Sequence, residues 1–213
     1  MEFTHVDYGL IDLPEGSMST RAGRLITAKE VLDQVYDHAL AVVRENDPTL
    51  DETVAHEIAE GVTLGTVRFE NISKRRTKDT TFDIEQATSL EGDTGPYVQY
   101  AATRGLNILL EADGDIPAPE AVADQPFNEH DHQLAVCLAR YPLVLERCED
   151  RYDPAPLAQY LLTLAGEFNV FYHENRVLDA SQARERRLVL VAATVQVFEN
   201  AFELAGIPLL QQM

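Results

Sequence analysis

EGDTGPYVQYAATR, running from Glu91 to Arg104, is where the pattern of this chain changes from connector to bundle. Thr94 is a helix-capping residue, and Pro96 just behind it lacks an N–H that a first helical turn would leave unpaired. The spacing predicts a helix through Ala112, with Tyr97, Tyr100, Ala101, Ile108 and Leu109 as its apolar and aromatic face. Tyr97, Tyr100 and Arg104 fall at i, i+3 and i+7, one stripe of that helix. Two aromatics and an arginine on one stripe can stack on and pair with single-stranded bases. They can also be core residues, and periodicity alone favours the core.

Downstream, Gly114 to Pro126 holds Pro117, Pro119 and Pro126 among acids and alanines and reads as a loop. Helical patterns follow at Glu129 to Tyr141, Leu143 to Asp150, and Pro156 to about Glu174, the last carrying Leu157, Tyr160, Leu161, Leu164, Phe168 and Phe171. Phe168, Asn169, Phe171, Tyr172 and His173 lie together there, and aromatics at this spacing are mostly core. A final helix, capped by Ser181, carries Leu188, Val191, Ala192, Val195, Phe198 and Phe202. It stops at Gly206, in the left-handed position, ahead of Pro208.

Upstream, His5 to Leu13 alternates weakly and reads as a strand with no sheet of its own. The polar loop Glu15 to Arg24 follows. Thr27 and Glu30 form a capping box for a helix with Val31, Leu32, Val35, Ala39, Val42 and Val43 on one face. Asp51 caps a second helix carrying Val54, Ile58, Val62 and Val67, in which Gly61 and Gly65 mark close packing against a neighbour. From Asn71 to Asp93 periodicity fails, leaving a polar connector with the basic run Lys74, Arg75, Arg76 and Lys78. The expected fold is mainly α, in three parts. A strand and loop remnant (1–27) leads into a helical connector (28–92) and then a helical bundle (93–213).

At 213 residues with 45% hydrophobic and 25% charged residues, a folded core is available, and disorder, collagen and coiled coil are excluded. The charge is unusual: 17 basic against 36 acidic residues give −19. A field of that sign repels nucleic acid and anionic membranes at low salt. Lys29, Lys74 and Lys78 are the only lysines. An acid-rich, lysine-poor surface suits concentrated salt, where the Debye length is about 3 Å at 1 M. No stretch approaches the ~18 apolar residues of a membrane span, and the first residues lack a signal-peptide pattern, so a cytoplasmic setting is expected.

Chemistry-bearing residues are few. Cys137 and Cys148 show no CxxC spacing and read as reduced, half-buried thiols. Glu129, His130, Asp131 and His132 diverge around a helix, so no metal is expected. His5, His38 and His56 have no triad partners. The glycine-flanked loop Gly16 to Gly23, with Ser17, Met18, Ser19, Thr20 and Arg21, can fold over phosphates, although it matches no Walker pattern and also fits a plain surface turn.

Five stretches, in order, resemble the C-terminal half of an arginyl-tRNA synthetase, a class I aminoacyl-tRNA synthetase. They are HVDYGL (His5 to Leu10), GSMSTRAG (Gly16 to Gly23), EGDTGPYVQYAATR (Glu91 to Arg104), LAQYLLTLAGEFNVFY (Leu157 to Tyr172) and the ending LAGIPLLQQM. The resemblance spans essentially the whole chain. It implies that Ser17 to Arg21 stand as the KMSKS loop, closing over ATP, with Mg2+, as arginyl-adenylate forms. Ser17 and Thr20 occupy the two lysine positions, so which group supplies the charge is open. It further implies a connector against the inside of the tRNA and an anticodon-binding bundle, in which Tyr97, Tyr100, Arg104, Tyr172 and the terminal Met213 meet the anticodon loop.

No HIGH-type motif is present, nor the arginine pocket, so the resemblance implies a truncated or split product, or one half of a two-chain enzyme. Such a chain would not bind ATP tightly or form adenylate alone. The implied partners are arginine-accepting tRNA, ATP, arginine and a missing N-terminal half, with no membrane and no DNA. Two other readings stay open: a free-standing tRNA-binding module and a protein-interaction domain without an RNA role. The first ~25 residues are expected to be the least stable, because an unpaired strand leaves backbone groups unsatisfied.

Overall fold

Thr27 opens the first helix by a reciprocal cap: its Oγ1 accepts the Glu30 N–H at 3.2 Å, and Glu30 Oε2 accepts the Thr27 N–H at 2.6 Å. The structure, a computed structural model, describes residues 3–12, 27–113, 116–179 and 183–213. Helix α1 is Ala28–Asn46 and α2 is Glu52–Ser73, the latter capped by Asp51, whose carboxylate accepts the Thr53 N–H at 2.9 Å. The two helices bury Ala39, Leu40, Ala55, Ile58, Ala59 and Val62 between them.

The strand expected to lack a sheet has a partner within the chain. β1 (Ile11–Asp12) runs parallel to β2 (Thr80–Thr81), with Ile11 opposite Thr80 and Asp12 opposite Thr81. The Thr80 N–H reaches Leu10 O at 2.9 Å and the Phe82 N–H reaches Asp12 O at 2.8 Å. A parallel pair needs a long crossover, here supplied by α1 and α2. Among the described residues the strand is two residues long, shorter than the expected His5 to Leu13, because Gly9 and Leu10 bond the turn before β2, at Arg76 O and Asp79 Oδ1, and do not extend a regular ladder; Leu13 lies outside the described residues. The connector after Asn71 is likewise more ordered than its polarity suggested. α2 continues to Ser73, and β2 is followed by the short helix α3 (Ile84–Ala87), capped by Asp83. Phe82 and Ala87 are buried against Val35 of α1.

The bundle comprises α4 (Gly95–Glu111), α5 (Glu129–Ala139), α6 (Tyr141–Arg151), α7 (Ala155–Glu174) and α8 (Arg184–Ala205), with a 3-10 turn at Pro119–Val122 in the loop after α4. α5 and α6 part at Arg140, slightly before the position expected, because Pro142 suits only a first helical turn. Ser181, the expected cap of α8, lies outside the described residues, and the helix starts behind Ala183. Phe168 and Phe171 of α7 and Phe198 and Phe202 of α8 are fully or almost fully buried and form the centre of the core, joined by Leu134, Leu161, Leu164 and Leu188. α8 is long and apolar enough to cross a membrane by length and composition; here it supplies the core.

Gly206, at φ 68°, ends α8, and the Ile207 N–H caps back onto Phe202 O at 2.9 Å. The tail then turns onto α4 and α2. Gln99, fully buried, donates through Nε2 to Gly61 O at 3.1 Å and Pro208 O at 2.9 Å. Thr103 Oγ1 donates to Leu210 O at 2.9 Å, and Leu210 and Met213 pack on the α1/α2 cluster. Gly61 and Gly65 are close-packing positions as expected: a Cβ on Gly61 would strike Leu210, and one on Gly65 would strike the Gln99 amide.

Helix α4 meets α2 through Gly95, where an added Cβ would stand 2.6 Å from Gly65 O and 2.9 Å from Phe69 Cβ. Backbone cannot yield to it as a side-chain tip can. Gly95→Ala should therefore cost ~1–3 kcal/mol in urea or thermal unfolding. Gly166→Ala, whose Cβ would find Tyr97 Oη as its nearest atom at 3.9 Å, should be neutral or stabilising by up to ~1 kcal/mol.

Candidate nucleic-acid interface

Thr94 fixes the start of α4. Its Oγ1 accepts the Tyr97 N–H at 3.2 Å and donates to Ser89 O at 2.6 Å, while Gly92, at φ 86°, lets the chain turn into the cap. The helix then lies beside α7, and its stripe meets two residues of that helix. Arg104 Nη1 donates to Asn169 Oδ1 at 2.7 Å, and Nη2 donates to the Tyr100 hydroxyl at 3.1 Å. Asn169 Nδ2 donates in turn to the Tyr97 hydroxyl at 3.2 Å. Because guanidinium groups only donate, Arg104 fixes which end of the Asn169 amide faces it.

The Arg104 guanidinium carbon lies 4.7 Å from the ring centroid of Tyr100 and 4.7 Å from that of Tyr172. A cation between two aromatic faces is held by both quadrupoles. Among the described residues no carboxylate pairs with it, so its charge is not cancelled locally. Four residues that the sequence spreads over 75 positions, Tyr97, Tyr100, Arg104 and Tyr172, thus form one cluster. Tyr97 and Tyr100 are half-buried, so the core and surface readings each hold for part of the ring. Tyr172 is 38% exposed and has His173 at its edge.

Met213 is not in that cluster. It stands across a cavity of about 330 Å³ that Tyr100 also lines, together with Val43, Leu50, Leu90 and Pro96. Tyr100 therefore belongs to both the arginine sandwich and the cavity wall. Asn169, named in the sequence only as part of an aromatic run, is the residue of the cluster that sequence reasoning did not assign to it. Its signal was a polar side chain in an aromatic run, three positions before Tyr172 on the same face. Ser17, Met18, Ser19, Thr20 and Arg21 lie outside the described residues.

The family model described as "DALR anticodon binding domain" matches residues 98–213, and that described as "tRNA synthetases class I (R), catalytic domain" matches residues 1–84. The arginine–tRNA ligase of Halobacterium salinarum is 54% identical over 215 residues, covering 100% of this chain and 33% of the relative. That of Archaeoglobus fulgidus is 36% identical over 207 residues, covering 97% and 37%. In three dimensions the chain resembles Thermus thermophilus arginyl-tRNA synthetase, with TM-score 0.86 at 32% identity over 97% of this chain and 35% of that one. The Plasmodium falciparum arginyl-tRNA synthetase structure gives 0.79 at 18% identity over 98% and 35%, a likeness of fold. The chain spans about a third of the length of these relatives.

Asp131 and the two cysteines are committed to structure. Asp131, fully buried, accepts from Arg186 at 2.5 Å and closes a capping box with Asn128, so it faces the bundle and not His130 or His132. Burial, with Glu167 adding to it, pushes the Cys137 thiol up to about 11; burial also raises Cys148. In the unfolded chain Cys137 ionises near its ordinary value of 9.0, so between pH about 9 and about 11 the unfolded state holds fewer protons and stability falls as pH rises. Urea melts across that window should show Cys137→Ser losing less stability than the parent. Iodoacetamide at neutral pH should leave folded Cys137 unmodified.

Proposed function

Because the chain belongs to the DALR anticodon binding domain family of the arginyl-tRNA synthetases, we propose that it serves an arginine–tRNA ligase as its anticodon-reading and stem-contacting part. The observation that carries this is Arg104, stacked between Tyr100 and Tyr172 and anchored by Asn169. Two of its five N–H groups are spent on Asn169 and Tyr100, which leaves donors for a base edge. An unpaired base stacks on the exposed part of Tyr172, and a neighbouring base enters the cavity between Tyr100 and Met213. Such loops offer π-faces and open edges, which suits rings beside a fixed cation. Tyr97 acts by positioning Asn169.

In this reading residues 1–27 end a catalytic domain, 28–92 contact the tRNA stem, and 93–213 read the anticodon. Ser17, Met18, Ser19, Thr20 and Arg21 form the loop that closes over ATP and its Mg2+. Hydroxyls, backbone N–H groups and Arg21 there stabilise charge developing on the phosphates. The match of residues 1–84 to a class I (R) catalytic domain supports this. The sequence holds no HIGH-type motif, so adenylate formation requires residues from outside it, with arginine and ATP as substrates of the assembled ligase. The setting is the cytoplasm of a cell with concentrated internal salt, which the charge of −19 supports.

Two measurements test this. The chain should bind arginine tRNA in preference to an unrelated tRNA, at low and at molar salt, and Tyr172→Ala should weaken that binding by ~1–3 kcal/mol. Equal binding of both tRNAs by the parent chain would refute the anticodon reading. When a catalytic portion carrying a HIGH-type motif is supplied in trans, arginine charging should appear, and Thr20→Ala with Arg21→Ala should slow charging without loosening tRNA. A folded pair that never charges would refute the ligase reading.

A further inference from the structure

Met213 carries the one thioether among the described residues, and the fold gives it two neighbours of opposite character. It is half-buried, packs on the α1/α2 cluster, and lines the cavity of about 330 Å³ that Tyr100 also lines. Ala39, Ile58 and Val62 belong both to that cluster and to the cavity wall, so Met213 and the cavity share an aliphatic side. The other side is polar and open: Asn46, Asp47 and Gln212 line the cavity and are exposed, so water and small solutes reach it. The tail cannot draw back from this place. Pro208 O is held by Gln99 Nε2 and Leu210 O by Thr103 Oγ1, each at 2.9 Å, so a chemical change at Met213 is felt in the cavity.

Two other sulfur atoms lie among the described residues, and the fold withdraws both from oxidation. Cys137 is buried and Cys148 half-buried. Peroxides attack the thiolate and not the thiol, and burial raises both groups, Cys137 to about 11, so that at neutral pH almost none of it is ionised. A thioether needs no ionisation, and its reactivity follows access alone. At Met213 access comes through the cavity.

We propose that Met213 is a reversible modification site, at which oxidation of the thioether to the sulfoxide by a hydroperoxide shuts the cavity to an unpaired base. The inference rests on reading the cavity as the receptor of such a base. In the forward step the sulfur lone pair attacks one peroxide oxygen, and the S–O bond forms as the O–O bond breaks. The departing hydroxide takes the proton from the transferred oxygen and leaves as water, with sulfur oxidised by two electrons and the peroxide reduced by two. In the reverse step a dithiol removes the oxygen as water and becomes a disulfide. The sulfoxide oxygen is an acceptor that Ala39, Ile58 and Val62 cannot satisfy. The donors of this cavity are the Asn46 and Gln212 amides and the Tyr100 hydroxyl, which accepts from Arg104 and keeps its own proton to give. An oxygen turned to them takes the space and the donors that a base would use; an oxygen left on the aliphatic side makes the wall polar and unpaired.

The test is binding of arginine tRNA and an unrelated tRNA by the full chain at neutral pH, before and after graded hydrogen peroxide, with each sulfur followed by peptide mass mapping. As Met213 gains one oxygen, with Cys137 still a free thiol, affinity for arginine tRNA should fall about tenfold, the size expected when one apolar wall group turns polar. Methionine sulfoxide reductase with dithiothreitol should restore it, and bound arginine tRNA should slow the oxidation of Met213. Met213→Leu, which keeps Met1 and Met18 oxidisable, is compared only with itself and should show no change with peroxide. Full oxidation of Met213 with affinity unchanged, or an equal loss in Met213→Leu, overturns the inference while the anticodon reading stands. Oxidation of Cys137 ahead of Met213 overturns it as well. Should Met213→Leu bind too weakly to compare, the parent decides: Met213 oxidised at the same rate with and without bound arginine tRNA overturns the inference. An unoxidised parent that binds both tRNAs alike, or neither, overturns the underlying reading and this site with it.

Discussion

A single buried amide sets the relation between the parts of this protein. Gln99 Nε2 donates both of its hydrogens to carbonyls, Gly61 O on α2 and Pro208 O in the tail. Neither carbonyl can donate in return, so the amide has one usable orientation, and losing it would break both links at once. The bond is possible only because Gly65 leaves room for the amide and Gly95 leaves room for α4 to approach the α2 backbone. Gln99 and Thr103 hold the tail on one side of α4, while Tyr97, Tyr100 and Arg104 occupy the neighbouring side. The constraint that brings Met213 back to the α1/α2 cluster therefore also orients the stripe that meets α7.

The stripe depends on that orientation because its chemistry is cooperative. Arg104 touches four groups at once: two tyrosine rings, the Asn169 oxygen and the Tyr100 hydroxyl. Displacing α7 against α4 would separate the rings and leave the guanidinium as an ordinary mobile surface cation, with rotamer entropy still to lose on binding. A cation fixed beforehand has that entropy already lost before any contact it makes. Phe168 and Phe171, packed in the core directly beside Asn169 in sequence, hold α7 in place for this.

Local signals in the sequence located the helices well, because caps and stops are written in adjacent residues: Thr27 with Glu30, Asp51, Thr94, and Gly206 at φ 68°. They failed where the partner is distant. Ile11 pairs with Thr80 across 69 positions, and Leu10 with Asp79 across as many, which no periodicity reveals. Asp131 illustrates the same limit. In sequence it sits between two histidines and invites a metal, but its carboxylate turns to Arg186, 55 positions away. The tyrosines were undecided for a different reason: periodicity sorts positions into inside and outside, and Tyr97 and Tyr100 straddle that line, each with a half-buried ring and a hydrogen-bonded hydroxyl.

Charge and recognition are reconciled by range. A net −19 opposes approach to a polyanion wherever fields extend, but at 1 M salt they die within about 3 Å. The same screening removes long-range attraction, so a basic surface would gain little there. What survives is contact with defined geometry: a ring against a base, an N–H against a base edge, a cation held where it need not be ordered again. Arg104, bonded to neutral partners and placed between rings, keeps its charge without adding a carboxylate to the face. The acidic residues can then accumulate elsewhere on the surface at no cost to that cluster. An acid-rich chain and a nucleic-acid partner are therefore compatible where a cation is held in direct contact, as Arg104 is between its rings.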